Sequence, residues 1–330
     1  MVVRDVSTQP YADLRVDPNG SQAVPIHRSL SRSESTLTTD QVLETLECKI
    51  PVPHKGLSAK LVLGDANFGL ATLPTDSVDV AIVDPPYGAS YNTSWGLPKM
   101  HGLNGFGGEW KIADHEWDRL TSGVNFQMTI AYLEQLKRIV KPSGSFFIHS
   151  TYHNSGIVNV ACQILGIEII NEIVWYKRNA FPNLANRRLT ASHETILWVH
   201  TGKPGKRAYR FNAEAVKASF FDNDGLKARG KQMRTVWDIP NNKTREELAF
   251  GKHPTQKPLS VAARLLLMTG IPNGDLIVPF AGSGTEMIAG LKYGMNVCGF
   301  ESERQYFDLA QRRISAYIES DEQLELGIGS

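Results

Sequence analysis

From residue 60 onward, short apolar runs alternate with segments of helical periodicity, and this alternation leaves the chain few folds to adopt. Apolar runs cover 60–65 (KLVLGD), 78–84 (VDVAIVD), 144–150 (GSFFIHS), 167–177, 194–201, 275–280 (DLIVPF) and 296–301 (NVCGFE). Helical periodicity falls on 128–140, 154–166, 258–270 and 303–318, the first stopped by Lys141-Pro142-Ser143-Gly144. Strands separated by helices of that length pair in parallel through crossover helices. The expected fold class is therefore α/β: an open, mostly parallel seven-stranded sheet covered on both faces. At 330 residues, 42% hydrophobic and 21% charged, the chain can bury such a core.

Residues 1–56 are polar and rich in Ser, Thr and Pro, which suggests an arm with a short helix over TTDQVLETLE. Residues 202–250 break the strand–helix rhythm. A structureless loop of that length is uncommon in a compact domain, so an insertion is expected there, beginning at 202 or as early as 184. The chain then divides into the arm (1–56), a first core half (57–201), the insertion (202–250), a second core half (251–320) and an acidic tail (321–330).

The net charge of +1 hides a segregation. Between Lys177 and Lys257 stand 17 Lys and Arg against 7 Asp and Glu, leaving 18 against 27 for the rest. Such a basic block points to a polyanion as partner. Other classes are excluded. No run reaches the ~18 apolar residues of a membrane span, so no membrane partner is expected. The first residues, MVVRDVSTQPYADLRVD, carry acids and no apolar centre, unlike a secretory or transit leader. Cys48, Cys162 and Cys298 are scattered and odd in number. They imply no disulfide framework and no metal site, and a cytoplasmic location is the simplest setting.

Asp84-Pro85-Pro86-Tyr87 follows directly on the run VDVAIV. Ligands of open α/β sheets sit beyond the carboxyl ends of the strands. Two prolines there remove two backbone donors and hold a rigid turn. A carboxylate beside a proline carbonyl makes a two-acceptor clamp for an NH2 group, and a tyrosine can stack on a flat ring. An amine on a nucleobase is a weak nucleophile because its lone pair is delocalised. Acceptors for both of its N–H groups localise that pair, and they stabilise the positive charge that develops during attack on a methyl group.

Phe280-Ala281-Gly282-Ser283-Gly284-Thr285 also follows a strand and opens a helix. Its glycines allow close backbone approach to a ligand. The dinucleotide fingerprint would need a third glycine at 287, which is Met. Glu301 ends the next strand, where a carboxylate can hold the two hydroxyls of a ribose. His253-Pro254-Thr255-Gln256-Lys257-Pro258 precedes an apolar helix, and free N–H groups near a helix start favour an anion.

Together these motifs resemble the β group of S-adenosylmethionine-dependent DNA amino-methyltransferases. In that group DPPY comes first, then the recognition region, the HPTQKP-type block and the FxGxG loop. The chain keeps this order over roughly residues 57–318, and 61–88 resembles the family's opening strand–helix–strand unit. The resemblance implies a Rossmann-like methyltransferase fold in permuted order, with 57–201 catalytic, 202–250 recognising the target and 251–320 binding S-adenosyl-L-methionine. It assigns catalysis to Asp84, Pro85, Pro86 and Tyr87. It assigns the cofactor to Asp65, Asp84, Thr255, Gln256, Lys257, Phe280, Ala281, Gly282, Ser283, Gly284, Thr285 and Glu301, with Asp65 near the adenine and Thr255–Lys257 near the methionine end. One departure is Val278, where the family usually carries an acid whose contact would then weaken or pass to Asp65 or Asp84.

The implied activity is site-specific methylation of adenine N6 in duplex DNA, by base flipping and direct in-line attack. Cytosine N4 is the alternative, since both amines suit the clamp. An RNA methyltransferase and a catalytically silent DNA-binding protein are further alternatives. Arg187, Arg188, Lys203, Lys206, Arg207 and Arg210 are candidates for DNA contacts. The 30 residues after Tyr87, with Tyr91, Trp95 and Phe106, are expected to close over base and cofactor. A homodimer and a cognate restriction endonuclease are the partners the resemblance suggests beyond double-stranded DNA.

Overall fold

The computed structural model describes residues 47–52, 55–88, 118, 120–180, 182, 189–202, 208–219, 221 and 230–325, with backbone alone for 322–325. In chain order the elements are β1 (Glu47–Val52), β2 (Leu57–Leu63), α1 (Ala66–Ala71), β3 (Val78–Val83), α2 (Ser122–Ile139), β4 (Val140–Ser150), α3 (Ser155–Ile164), β5 (Glu168–Tyr176) and β6 (His193–His200). They continue with α4 (Ala213–Ala218), β7 (Val236–Asp238), α5 (Arg245–Leu248), α6 (Leu259–Thr269), β8 (Asp275–Val278), α7 (Thr285–Tyr293), β9 (Asn296–Glu301) and α8 (Arg304–Glu325).

The expected open α/β sheet is present, with nine strands among the described residues rather than seven. Its order is β1-β2-β9-β8-β3-β4-β6-β5-β7. Strands β2, β9, β8, β3 and β4 run parallel in succession. The two extra strands lie at the edges. β1 pairs antiparallel with β2, so the chain enters the sheet at Glu47, inside the segment whose composition suggested an arm. β7 pairs parallel with β5, which ties the basic insertion to the sheet. β6 is antiparallel to both neighbours because no crossover helix separates it from β5.

β3 is buried at all six positions, as a central parallel strand covered on both faces must be. Its alternation divides the core. Val80 and Ile82 face a cluster with Phe147, Trp175, Trp198, Leu265 and Leu266. Ala81 and Val83 face Tyr132, Leu136, Phe146 and Ile148 on the other side. Asp79 breaks the apolar run, yet it accepts hydrogen bonds from Lys141 Nζ (2.8 Å) and Asp275 N (2.9 Å). It thereby joins β3 to the starts of β4 and β8.

The helices begin where local chemistry satisfies their free N–H groups. Thr121 caps α2 by accepting from Val124 N at 3.3 Å, so this helix starts six residues before its apolar periodicity. Thr244 and Glu247 form a reciprocal capping box on α5. α8 runs on to Glu325, through much of the segment read as a tail. Among the described residues no helix is long and apolar enough to cross a membrane. Arg187, Arg188, Lys203, Lys206 and Arg207 lie outside the described residues, as do Tyr91, Trp95, Phe106 and residues 1–46.

Candidate active site

The sheet order brings the separate motifs together. β9, β8 and β3 are adjacent, and the chain continues from β8 to one side and from β3 to the other. The crevice beyond their carboxyl ends is a topological switch point, the usual ligand site of an open α/β sheet. Glu301 ends β9, Pro279–Gly284 follow β8, and Asp84–Tyr87 follow β3. These loops line one cavity with Asp65, His253, Thr255, Gln256, Lys257, Glu286 and Tyr306.

Asp84 is engaged on both oxygens. Lys257 Nζ donates to Oδ2 at 2.6 Å, and the Tyr87 hydroxyl donates to Oδ1. Burial works to raise the Asp84 carboxyl, but the Lys257 charge and these hydrogen bonds hold it below the ordinary carboxylate value. The same ammonium lies 5.2 Å from the centre of the Tyr87 ring. Burial, then the Asp84 charge, raises the Tyr87 phenol well above its usual value, so it stays a donor. The turn itself is held by Asp118 Oδ1, which accepts from Tyr87 N (2.7 Å) and Gly88 N (2.8 Å).

A network of buried charges underlies this pair. Lys177 Nζ donates to Glu194 Oε1 at 2.6 Å, and Glu194 Oε2 lies 3.7 Å from Lys257 Nζ. Burial raises the Glu194 carboxyl, but Lys257 and Lys177 bring it below its ordinary value. His149, fully buried at the end of β4, is pushed down to about 4 by burial, against the pull of Asp84, and is therefore neutral. Lys243 falls to about 8 through burial and the Lys257 charge.

The glycine loop is built by backbone bonds. Gly282 has φ 51° and its N–H donates to Glu301 Oε2 at 2.7 Å; Ala281 N donates to Phe300 O at 2.8 Å. Gly284, at φ 74°, caps α7 in a conformation that favours glycine. Glu301 Oε1 accepts from Glu303 N at 2.8 Å. Burial pushes this carboxyl up to about 7 despite those two N–H donors. Asp65 caps α1, accepting from Asn67 N at 2.8 Å.

Most of the residues singled out from the sequence converge here. Gly284 and Thr285 are not part of the cavity lining: Thr285 is turned toward Arg313, whose Nη1 donates to its Oγ1 at 3.0 Å. Lys257, expected at the methionine end of the cofactor, has its ammonium on Asp84. Arg210 is exposed, and its backbone N–H bonds Ser143 O at 3.0 Å. Sequence reading assigned no site role to Asp118, His149, Lys177, Glu194 or Glu286. Val278 is 1% exposed in the core and brings no charge to the cavity.

Comparisons with known proteins agree with this geometry. A family model described as DNA methylase, covering N6 and N4 enzymes, matches residues 78–312. The Type II methyltransferase M2.LlaDCHI of Lactococcus lactis subsp. cremoris is 32% identical over 260 residues, 78% of this chain and 90% of that protein. The Type II methyltransferase M2.DpnII of Streptococcus pneumoniae is 32% identical over 263 residues, 79% and 91% respectively. The fold is also that of the M1.HpyAVI–SAM complex, with a TM-score of 0.52 at 23% identity, covering 78% of this chain and 98% of that one. The chain belongs to the DNA methylases, the S-adenosylmethionine-dependent N6 and N4 amino-methyltransferases.

Proposed function

We propose that the protein methylates the exocyclic N6 of adenine at specific sites in duplex DNA. The observation that carries this reading is the Asp84 carboxylate, half-buried beyond β3, held ionised beside Lys257 and followed by two prolines and a tyrosine. An aromatic amine needs acceptors rather than a nucleophile from the enzyme. Each Asp84 oxygen keeps a second lone pair after serving Lys257 or Tyr87. Asp84 and the Pro85 carbonyl would accept from the two N–H groups of the amine, localising its lone pair and stabilising its developing positive charge. Tyr87 offers a ring for the base to stack on, beside the rigid Pro86. A paired base must first leave the helix, at a cost of a few kcal/mol.

The cavity chemistry fits the cofactor. Glu301 is a buried carboxylate suited to two ribose hydroxyls, and Asp65 lies on the lining where the adenine end is expected. Phe280, Ala281, Gly282 and Ser283 line the same cavity, and Thr255, Gln256 and Lys257, which line it too, are the proposed neighbours of the methionine end. Bound S-adenosylmethionine supplies a methyl group activated by its sulfonium. None of Cys48, Cys162 or Cys298 lines the cavity, which supports transfer without a covalent enzyme–base adduct.

We place the DNA surface on the basic insertion, with Arg187, Arg188, Lys203, Lys206, Arg207 and Arg210 as contacts, and the lid in the segment after Tyr87. A cytoplasmic setting, a restriction endonuclease of matching specificity and a homodimer complete the proposal. Single-molecule sequencing of DNA from cells expressing the protein tests it. N6-methyladenine at one short site is expected, and its disappearance in Asp84→Ala follows from the clamp. N4-methylcytosine without N6-methyladenine would overturn the choice of base, and transfer to RNA alone would overturn the DNA substrate.

A further inference from the structure

Of the five carboxylates that line the cavity, Asp65 caps α1, Glu303 stands half-buried after β9, and two more are already committed. Asp84 is paired with Lys257 and Tyr87. Glu301 accepts from the backbone N–H groups of Gly282 and Glu303. Glu286 is different. It stands in the first turn of α7, is 5% exposed and lines the cavity beside Ser283 and Asp84. Among the described residues, no Lys or Arg lies within ion-pair distance of its carboxylate. Arg313, the nearest candidate on α8, is turned to Ser283 O and Thr285 Oγ1 instead.

A buried carboxylate without a cation is costly unless something else neutralises it. Burial, then the Asp84 charge, pushes the Glu286 carboxyl up to about 7, while Lys257 and Arg313 pull the other way. The site therefore has room for one more positive charge, and the cofactor brings two: a sulfonium and an α-ammonium. The ammonium has three N–H donors and can form charge-assisted hydrogen bonds, whereas a sulfonium has none to offer. The two also differ in the reaction. Sulfonium charge is lost as the methyl leaves, so a carboxylate fixed against it would favour the ground state over the transition state. The ammonium keeps its charge throughout.

We propose that Glu286 binds the α-ammonium of S-adenosylmethionine. This rests on the reading of the cavity as the cofactor site. Its helix-terminal position offers a purely structural alternative, since an acid in the first turn stabilises a helix.

The test is equilibrium binding to the full chain and to Glu286→Gln at pH 8, with three ligands: S-adenosylmethionine, S-adenosylhomocysteine and 5′-methylthioadenosine. The first two carry the ammonium, only the first carries the sulfonium, and the third lacks the amino-acid end. We expect Glu286→Gln to bind the first two about tenfold or more weakly, as loss of a charged hydrogen bond implies, and the third as the parent does. Unchanged binding of all three overturns the proposal. A loss confined to S-adenosylmethionine moves the contact to the sulfonium and overturns it too. An equal loss for all three marks a structural role and overturns it as well. If the parent binds none of the three, the cofactor reading of the cavity fails first, an outcome distinct from failure of Glu286 alone.

Discussion

Lys257 Nζ and Asp84 Oδ2 lie 2.6 Å apart, although 173 positions separate them in the chain. Lys257 comes from the loop before α6 and Asp84 from the loop after β3, so the pair joins the two halves of the core at the clamp. Its members are not alternatives for the cofactor and the base. The ammonium lowers the carboxyl's pKa against the burial that raises it.

Removing that ammonium should therefore show in the pH profile as well as in the rate. In Lys257→Met the Asp84 carboxyl loses its main opposing charge, and its pKa should rise by at least about one unit. The acid limb of kcat/KM then moves to higher pH. Global stability should fall by about 3–5 kcal/mol, the usual cost of leaving a buried charge unpaired. An acid limb unmoved in a folded variant would separate the pair from catalysis.

Tyr87 has two separable parts. Tyr87→Phe removes the hydroxyl that donates to Asp84 but keeps the ring, whereas Tyr87→Ala removes both. Stacking of a base on an aromatic ring is worth about 1–3 kcal/mol, so the alanine variant should lose DNA affinity that the phenylalanine variant retains. Fluorescence of 2-aminopurine at the target position reads this directly. Equal loss in both variants would place the base elsewhere.

The two raised carboxyls near the cofactor loop make a prediction for stability. Glu286 and Glu301 both titrate at about 7 in the folded protein against an ordinary value of 4.5. Between those values the folded state holds protons that the unfolded chain has released, so stability falls as pH rises through this window. The Tm of the ligand-free protein should drop between pH 5.5 and 8, and Glu286→Gln should flatten the slope. Asp84 and Glu194, whose carboxyls are lowered, act in the opposite sense only at more acid pH.

The basic insertion predicts the salt dependence of DNA binding. For every phosphate no longer neutralised, the slope of log K against log salt should shrink by about 0.9. Charge removal at Arg210 tests one exposed position in that segment, and combined substitution of Lys203, Lys206 and Arg207 tests the rest. A slope unaltered in the combined variant would move the DNA surface off this segment.

Gly284 tests the loop geometry itself. At φ 74° an alanine is strained, and its Cβ would stand 3.2 Å from the Ala310 Cβ on α8. Gly284→Ala should cost about 1–3 kcal/mol, seen as a lower midpoint in urea. The comparison Gly123→Ala, in the first turn of α2 with open space around it, should not.

The sheet was legible because its central strands are short, mostly apolar runs, β3 interrupted only by Asp79, and the motifs at the strand ends kept their spacing. The edges were less so. β1 reads as a polar arm since its burial alternates, with only Val52 fully buried, and three-residue β7 is too short to leave a pattern. Asp84, Tyr87 and the glycine loop could be named from local sequence. Glu194 and Glu286 could not, because what makes them part of the site is proximity to residues distant in the chain: Lys257 is 63 positions from Glu194, and Asp84 is 202 from Glu286. Lys257 was seen, but the free loop suggested an anion from the cofactor, whereas the fold supplies one from Asp84.

The attachment of β7 bears on how such an enzyme changes over evolutionary time. Trp175 on β5 donates from Nε1 to Ile239 O at 2.7 Å, and Trp237 on β7 is buried in the same core. The insertion is thus riveted where it returns to the sheet, at an edge that β4, β6 and β5 separate from β3 and its clamp. If the insertion reads the target, as proposed, mutations upstream of that rivet can alter which bases are read while the reacting groups stay in register, so a lineage can acquire a new methylation site without rebuilding its chemistry.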